Sequence, residues 1–374
     1  MTDIGAKIRV LIVDDSTVVR RFLSNAIAAD PAFEVVGTAA NGQIAVQKVA
    51  LLSPQVVTMD IEMPEMSGLE ALAAIRRTNR TLPIIMVSSL TERGALATLE
   101  ALSLGATDYV TKPSALTAAG DVEKDNFIRD LLPKLKGLTK RGTAFPSASV
   151  APGAARTPAR ASVQPLVRRA GRVDIVAIGI STGGPNALAD LIPALPNDLP
   201  VPIVIVQHMP PLFTRLLAER LASKSVIRVK EGNGGDPLSP GLVILAPGNF
   251  HMAVERALGG ACHIVLNQGA LENSCRPAAD VLFRSVSETY GAGVLAIVMT
   301  GMGQDGLRGC EAVRGRGGQV MVQDEESSVV WGMPGFVAHA GLADEVLPLT
   351  QIAAAIVRSV RVGRDGARSV AGRG

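Results

Sequence analysis

The order of apolar and polar residues divides the chain into two runs of alternating strands and helices, separated by a stretch with no period. KIRVLIVDD, ending at Asp15, is an apolar strand closed by two carboxylates, and STVVRRFLSNAI after it carries helical spacing behind a Ser/Thr cap. FEVVGTA with GQIAVQKVALL, then PQVVTMD with SGLEALAAIRR, repeat the strand and the helix. PIIMVSS with ERGALATLEALSLG, and TDYVTKP with a helix within residues 124 to 136, complete five such units. Alternation of this kind predicts a parallel sheet covered by helices on both faces, an α/β domain over residues 8–125.

Between residues 138 and 172 the chain turns rich in Ala, Pro, Gly, Ser and Arg and loses its hydrophobic period, as a flexible basic linker does. RVDIVAIGIS then opens a second pattern, expected to be a doubly wound, mostly parallel α/β domain over residues 173–362. Its strand candidates are VPIVIVQHM, GLVILAPG, ACHIVLN and GVLAIVMTG, with helices expected around residues 185–193, 214–223 and 277–290. The Gly/Arg-rich tail from about Val362 reads as frayed.

Composition narrows the classes. The 374 residues fit two domains, and with 47% hydrophobic but only 3% aromatic residues the cores must be filled by Val, Ile, Leu, Ala and Met, as in buried parallel strands. The formal charge of +3 would suit a nucleic-acid partner, but nine Lys/Arg and no acid lie between Asp130 and Asp174, which leaves about −6 for the rest. The basicity is in the linker, so no nucleic-acid partner is expected. No apolar run approaches the ~20 residues of a membrane span and the start lacks a signal-peptide layout, so a soluble, cytoplasmic, monomeric protein without membrane insertion is expected. Cys262, Cys275 and Cys310 form no C-x-x-C pair and no metal-ligand spacing with the four histidines, and are expected to be buried thiols.

In a parallel sheet the ligand site lies at the carboxyl ends of the strands. Asp14 and Asp15, Asp60, Ser88 and Lys112 all fall at such ends in the first domain. Any one of them is ordinary as a solvated strand end; their convergence is not. Three carboxylates so close repel one another unless a divalent cation sits among them, and Mg²⁺ suits oxygen ligands and an incoming phosphoryl group. Asp60 would then be an acyl-phosphate nucleophile, with Ser88 and Lys112 on phosphate oxygens. DDS, DIEMPEMSG, SS and the Lys-Pro pair together resemble the receiver domain of two-component response regulators, with its flavodoxin-like (βα)5 fold. That resemblance implies phosphorylation of Asp60 by a histidine kinase, Mg²⁺ held by Asp15, Asp60 and the backbone carbonyl of Glu62, and Ser88 and Tyr109 as reporters of the phosphorylated state.

The second domain offers different chemistry. Gly179-Ile180-Ser181-Thr182-Gly183 fits G-x-S-x-G between a strand and a helix, the setting of a nucleophile elbow. By itself the motif fits equally a small-residue turn that binds phosphate or merely joins two elements. Serine needs a base, and His208 alone of the four histidines directly follows a strand, VPIVIVQ, at its carboxyl end. His251 and His263 lie at or within strands and His339 in a late helix-like stretch. Asp305, in the loop TGMGQDG, is the favoured carboxylate and Asp324, after QVMVQ, its main competitor. Glycines around Met302 favour the first, because they let backbone N–H groups approach a tetrahedral intermediate.

IGISTGGP, QHMP, LAPGN, the Arg-Pro of CRPAADVLFRS, MTGMGQDG and VWGMPG resemble the catalytic domain of the chemotaxis protein-glutamate methylesterases, the CheB family, from about residue 173 to 360. The receiver in front is that family's arrangement. The resemblance implies Ser181 as nucleophile, His208 as base and Asp305 as its orienter, with Thr182 and Met302 near the oxyanion and Arg276 on the substrate side. Alanine stands in RPAAD where serine is expected after the proline. The implied function is phosphorylation-activated hydrolysis of glutamyl methyl esters, with deamidation of glutamines, on methyl-accepting chemotaxis receptors, giving sensory adaptation. It needs Mg²⁺ only for receiver phosphorylation and no cofactor for ester hydrolysis. Two rivals are a transcriptional regulator with the same receiver, which lacks a basic recognition helix here, and a nonhydrolytic scaffold, against which the intact Ser181, His208 and Asp305 argue.

Overall fold

The structure, a computed structural model, describes residues 7–113, 120–139, 171–362 and 364. Most of the basic linker and the tail beyond 364 therefore lie outside the described residues.

The first domain runs β1 (Ile8–Val13), α1 (Thr17–Ala28), β2 (Phe33–Ala39), α2 (Gly42–Leu52), β3 (Val56–Asp60) and α3 (Gly68–Thr78). It continues through β4 (Ile84–Ser89), α4 (Glu92–Ser103), β5 (Asp108–Lys112) and α5 (Asp121–Thr139). The five strands form one parallel sheet in the order β2-β1-β3-β4-β5. Polar side chains start its helices: Ser16, Asn41 and Thr91 each accept an N–H of the first turn, and Ser67 forms a capping box with Glu70. Strand order reverses at β1, whose Val13 lies beside Met59 of β3, so the residues after both strands meet at one edge.

The second domain runs β6 (Ile175–Ile180), α6 (Gly184–Leu191), β7 (Ile203–Gln207), α7 (Pro211–Lys224), β8 (Arg228–Glu231) and β9 (Leu242–Leu245). After these come β10 (His251–Arg256), β11 (Cys262–Asn267), α8 (Ala279–Tyr290), β12 (Val294–Val298) and α9 (Leu307–Gly315). The last elements are β13 (Gln319–Gln323), α10 (Met333–His339), β14 (Glu345–Leu347) and α11 (Leu349–Arg361). Seven strands make a parallel sheet, β14-β13-β12-β6-β7-β9-β8. Its central strands are wholly buried and, apart from Gln207, apolar, as two-sided helix cover demands. ACHIVLN, which reads as another such strand, instead pairs antiparallel with β10 in a separate hairpin.

Two boundaries differ from the sequence reading. Helix α5 begins at Asp121 and continues to Thr139, so a division at residue 125 cuts through it, and its end takes in the first residues read as linker. The reason is packing: Phe127, Leu131, Leu135 and Leu138 recur at helical spacing and are buried against β1 and β4 residues such as Ile12 and Ile85. The two domains also share one continuous apolar cluster, in which α4 packs on α6 and α7. At this junction the Tyr109 and Phe213 rings stack, centroids 4.8 Å apart and planes at 4°. Arg215 pairs with Glu92 at 3.0 Å, Arg220 bonds the Leu99 carbonyl, and Asn186 donates to the Ala106 carbonyl at 3.2 Å.

Candidate active site

In the first domain, carboxylate oxygens of Asp14, Asp15 and Asp60 all lie within 4.8 Å of one another. Lys112 Nζ bridges Asp14 Oδ2 at 2.8 Å and Asp60 Oδ2 at 2.7 Å. Burial pushes the Asp60 carboxyl up to about 6, with Lys112 opposing and the Asp14 charge adding to the rise. Burial works against the Lys112 ammonium too, but Asp60 and Asp14 outweigh it and raise its pKa. A desolvated, acid-rich oxygen cluster of this kind fits a hard divalent cation. Glu62 pairs its exposed side chain with Arg93 at 3.2 Å. Ser88 is buried, with its hydroxyl hydrogen-bonded to Thr98 Oγ1 at 2.7 Å and donating to the Gly94 carbonyl at 3.1 Å. Tyr109 is also buried, in the stack on Phe213.

The second domain assembles its polar residues around β6. Ser181 follows β6 directly, its N–H bound to the Thr300 carbonyl at 3.0 Å and its carbonyl to the Gly184 N–H at 2.7 Å. The turn needs glycine at Gly183, where φ is 79° and a methyl group would lie 2.6 Å from Val329. Ile180 pairs with Gln207 on β7, which sets Ser181 and His208 side by side at adjacent strand ends. Asp305 comes from the loop after β12, the strand on the other side of β6.

Asp305 holds His208. His208 Nε2 lies 2.8 Å from Asp305 Oδ2, with the two side chains 12% and 2% exposed. The carboxylate sits on the N-terminus of α8, where Oδ2 accepts from Ala279 N at 2.6 Å and Oδ1 from Asp280 N at 3.0 Å. Gly306 N adds a bond of 3.1 Å and Asn273 Nδ2 one of 2.9 Å. Burial would raise the Asp305 pKa, but His208 and the backbone N–H groups outweigh it and hold the carboxyl below its usual range. Asp324, the competitor, spends its carboxylate on a turn, accepting from Ser327 N at 3.0 Å and Ser327 Oγ at 2.6 Å.

Cys275 is half-buried rather than interior, and its Sγ lies 3.6 Å from His208 Nδ1. Cys262 and Cys310 are buried. Burial depresses the imidazole's basicity, whereas Cys275 and Asp305 favour the charged ring and carry it up to about 10. Among the described residues the Ser181 hydroxyl makes no hydrogen bond, and such contacts commonly tighten only when substrate is bound.

The remaining candidates are placed as follows. Thr182 is buried and its carbonyl accepts from Thr300 Oγ1 at 2.9 Å. Met302 reaches across to the first domain, where a methyl group at Gly137 of α5 would lie 2.6 Å from its Cε. Arg276 is engaged with protein: its guanidinium donates to the Gln268 and Gly269 carbonyls at 3.1 and 2.8 Å and to Asn249 Oδ1 at 2.7 Å. Asn273 and the position of Cys275 escape sequence reasoning, because both depend on a short turn folding back onto elements distant in the chain.

These observations define a two-domain α/β protein, a receiver packed on a larger domain with a Ser, His and Asp grouped at its strand ends. The response regulator receiver domain pattern matches residues 10–119 and the CheB methylesterase pattern residues 176–356. The chain belongs to the CheB methylesterase family, with the receiver domain in front. It is 49% identical over 356 residues to a "Protein-glutamate methylesterase/protein-glutamine glutaminase" of Trichodesmium erythraeum, covering 95% of this chain and 99% of that one. A relative of the same name in Nocardioides sp. is 49% identical over 354 residues, covering 94% and 95% of the two chains. The crystal structure of the Thermotoga maritima CheB methylesterase catalytic domain is 43% identical, with a TM-score of 0.49 over 50% of this chain and 99% of that one. Among the described residues no helix is long and apolar enough to cross a membrane.

Proposed function

We propose that this protein hydrolyses glutamyl methyl esters, and deamidates glutamines, on methyl-accepting chemotaxis receptors, under the control of phosphorylation at Asp60. The bond from His208 Nε2 to Asp305, beside Ser181 on the neighbouring strand end, carries the reading. With Nε2 committed to the carboxylate, Nδ1 is the nitrogen to take the Ser181 proton, and Ser181 must share it with Cys275 Sγ, 3.6 Å away. Ser181 attacks the ester carbonyl, and backbone N–H groups near Thr182 and Met302 receive the oxyanion. His208 then gives its proton to the departing methanol, or to ammonia from a glutamine, and water releases the acyl-enzyme by the reverse route. Asp305 stabilises the imidazolium that forms in each half.

Control starts at the other site. Asp15, Asp60 and the Glu62 carbonyl would hold Mg²⁺, which when bound offsets the charge of an incoming phosphoryl group. Asp60 attacks the phosphorus of a phosphohistidine on a histidine kinase, and Lys112 pairs with the transferred phosphoryl group. The receiver's α5 touches Met302, in the loop that carries Asp305, and its β5 stacks on α7 through Tyr109. In the unphosphorylated state the receiver thus covers the approach to Ser181, and phosphorylation loosens that cover.

The direct test is methanol release from methylated receptor membranes, with and without a small phosphodonor and Mg²⁺. Release that depends on Ser181 and rises with the phosphodonor supports the proposal. Wild-type release from a Ser181→Ala variant removes the serine mechanism.

A further inference from the structure

Asp305 has two kinds of partner: backbone N–H groups at the start of α8, and side chains. Among the described residues only two side chains bond it, His208 through Oδ2 and Asn273 through Oδ1, at 2.8 and 2.9 Å. The same Asn273 amide donates to Asp280 Oδ2 at 2.9 Å, while Asp280 Oδ1 accepts from Gly309 N at 2.6 Å. Two carboxylates, 1% and 2% exposed, therefore lie on either side of one amide nitrogen. An uncharged NH₂ with two hydrogens can serve both at once. An ionised carboxylate there could serve neither.

The turn is built to aim that amide. Asn273 and Ser274 both have left-handed backbones, φ 52° and 63°, a conformation asparagine tolerates better than most residues. Glu272 and Cys275 close the turn with reciprocal backbone bonds of 3.1 and 2.9 Å. Arg284 of α8 ties the Glu272 carboxylate to the same helix whose N-terminus holds Asp305. The turn and the triad acid are thus anchored to one element.

We propose that Asn273 is a positioning residue for ester hydrolysis. It occupies Asp305 Oδ1, so that Oδ2 faces His208 Nε2, and it keeps the Asp280 charge from competing for that orientation. It acts through Asp305 and touches no reacting atom. This inference rests on the proposed serine mechanism, and the experiment separates a failure of one from a failure of the other.

Initial rates of ester hydrolysis by the full chain are measured for wild type, Asn273→Gly, Asn273→Asp, Asp305→Asn and the double variant Asn273→Gly/Asp305→Asn. Glycine accepts the left-handed backbone and deletes the amide. Asn273→Gly is expected to lower kcat about tenfold, as for a lost hydrogen bond to a charged group, with KM within about twofold. The double variant should be no slower than Asp305→Asn alone, because the amide has nothing left to orient. Asn273→Asp, nearly isosteric, can donate only when protonated, so its rate relative to wild type should rise as pH falls from about 8 to about 6. A merely structural role would lower melting temperature and slow every background alike, with a pH-independent ratio. A kcat for Asn273→Gly within about twofold of wild type, while Asp305→Asn is crippled, overturns the role of Asn273 alone. Wild-type rates for Asp305→Asn overturn the mechanism beneath it.

Discussion

Cys275 Sγ stands 3.6 Å from His208 Nδ1, on the opposite side of the ring from the bond to Asp305. A base must be neutral to accept a proton, and Cys275, together with Asp305, favours the protonated ring. Replacing Cys275 by alanine therefore lowers the His208 pKa, and the acidic limb of kcat/KM moves to lower pH. Cys275 should also be the thiol that iodoacetamide reaches first, since Cys262 and Cys310 are buried. Alkylation is expected to inactivate the wild type and to spare Cys275→Ser. An unchanged pH profile in Cys275→Ala would mean that the cysteine does not tune the ring.

The grouping of Ser181, His208 and Asp305 makes a graded prediction. Ser181→Ala should abolish hydrolysis while receiver phosphorylation continues, and His208→Ala should be comparably damaging. Asp305→Asn should cost less, and the losses should not add, since the three act as a unit. Asp324→Ala should leave the rate close to wild type and lower only stability, because its carboxylate serves the turn at Ser327. A larger loss at Asp324 than at Asp305 would reverse the assignment of the carboxylate.

Part of this site is legible in sequence for a simple reason. In a parallel sheet the carboxyl ends of strands share one edge, so Asp14, Asp60, Ser181 and His208 can be placed from strand endings alone. Contacts made by loops that fold back cannot. Nothing in ENSCRP tells which way a turn with two left-handed residues will aim, so Cys275 reads as one more interior thiol. The end of α5 is obscured differently: basic composition sets in before the Leu131, Leu135 and Leu138 stripe has finished.

The receiver cluster predicts a stability change. Burial raises the Asp60 carboxyl from 3.8 to about 6, so its ionised form is disfavoured in the folded state. That cost is absent below the unfolded pKa, grows as pH rises through the interval, and is complete above the folded value. Asp60→Asn should therefore stabilise the receiver at neutral pH without Mg²⁺, by at most about 3 kcal/mol, and make no difference near pH ~3. Mg²⁺ should raise the melting temperature of the wild type but not of the variant. A wild type indifferent to Mg²⁺ would show that the cluster of Asp14, Asp15 and Asp60 holds no such ion.

The junction between domains predicts the direction of regulation. If the unphosphorylated receiver covers Ser181, weakening the junction should raise basal hydrolysis. The stacked pair Tyr109 and Phe213 contributes about 1 kcal/mol beyond its buried area, so Tyr109→Ala should shift the closed-to-open balance at least roughly fivefold. Arg215→Ala, which breaks an exposed pair with Glu92, should do little. Deleting the receiver through Thr139, the end of α5, should raise basal activity furthest, because Met302 then loses its contact with that helix. Asp60→Ala should behave otherwise: the cover stays, basal activity remains low, and no phosphodonor raises it. Lys112→Ala should respond like Asp60→Ala, since the phosphoryl group would lack its charge partner. Initial rates for these variants, with and without phosphodonor and Mg²⁺, decide the matter. A truncated chain no more active than the unphosphorylated full chain would rule out occlusion, and phosphorylation would then have to act by stimulation, with the receiver aligning His208 or recruiting the receptor.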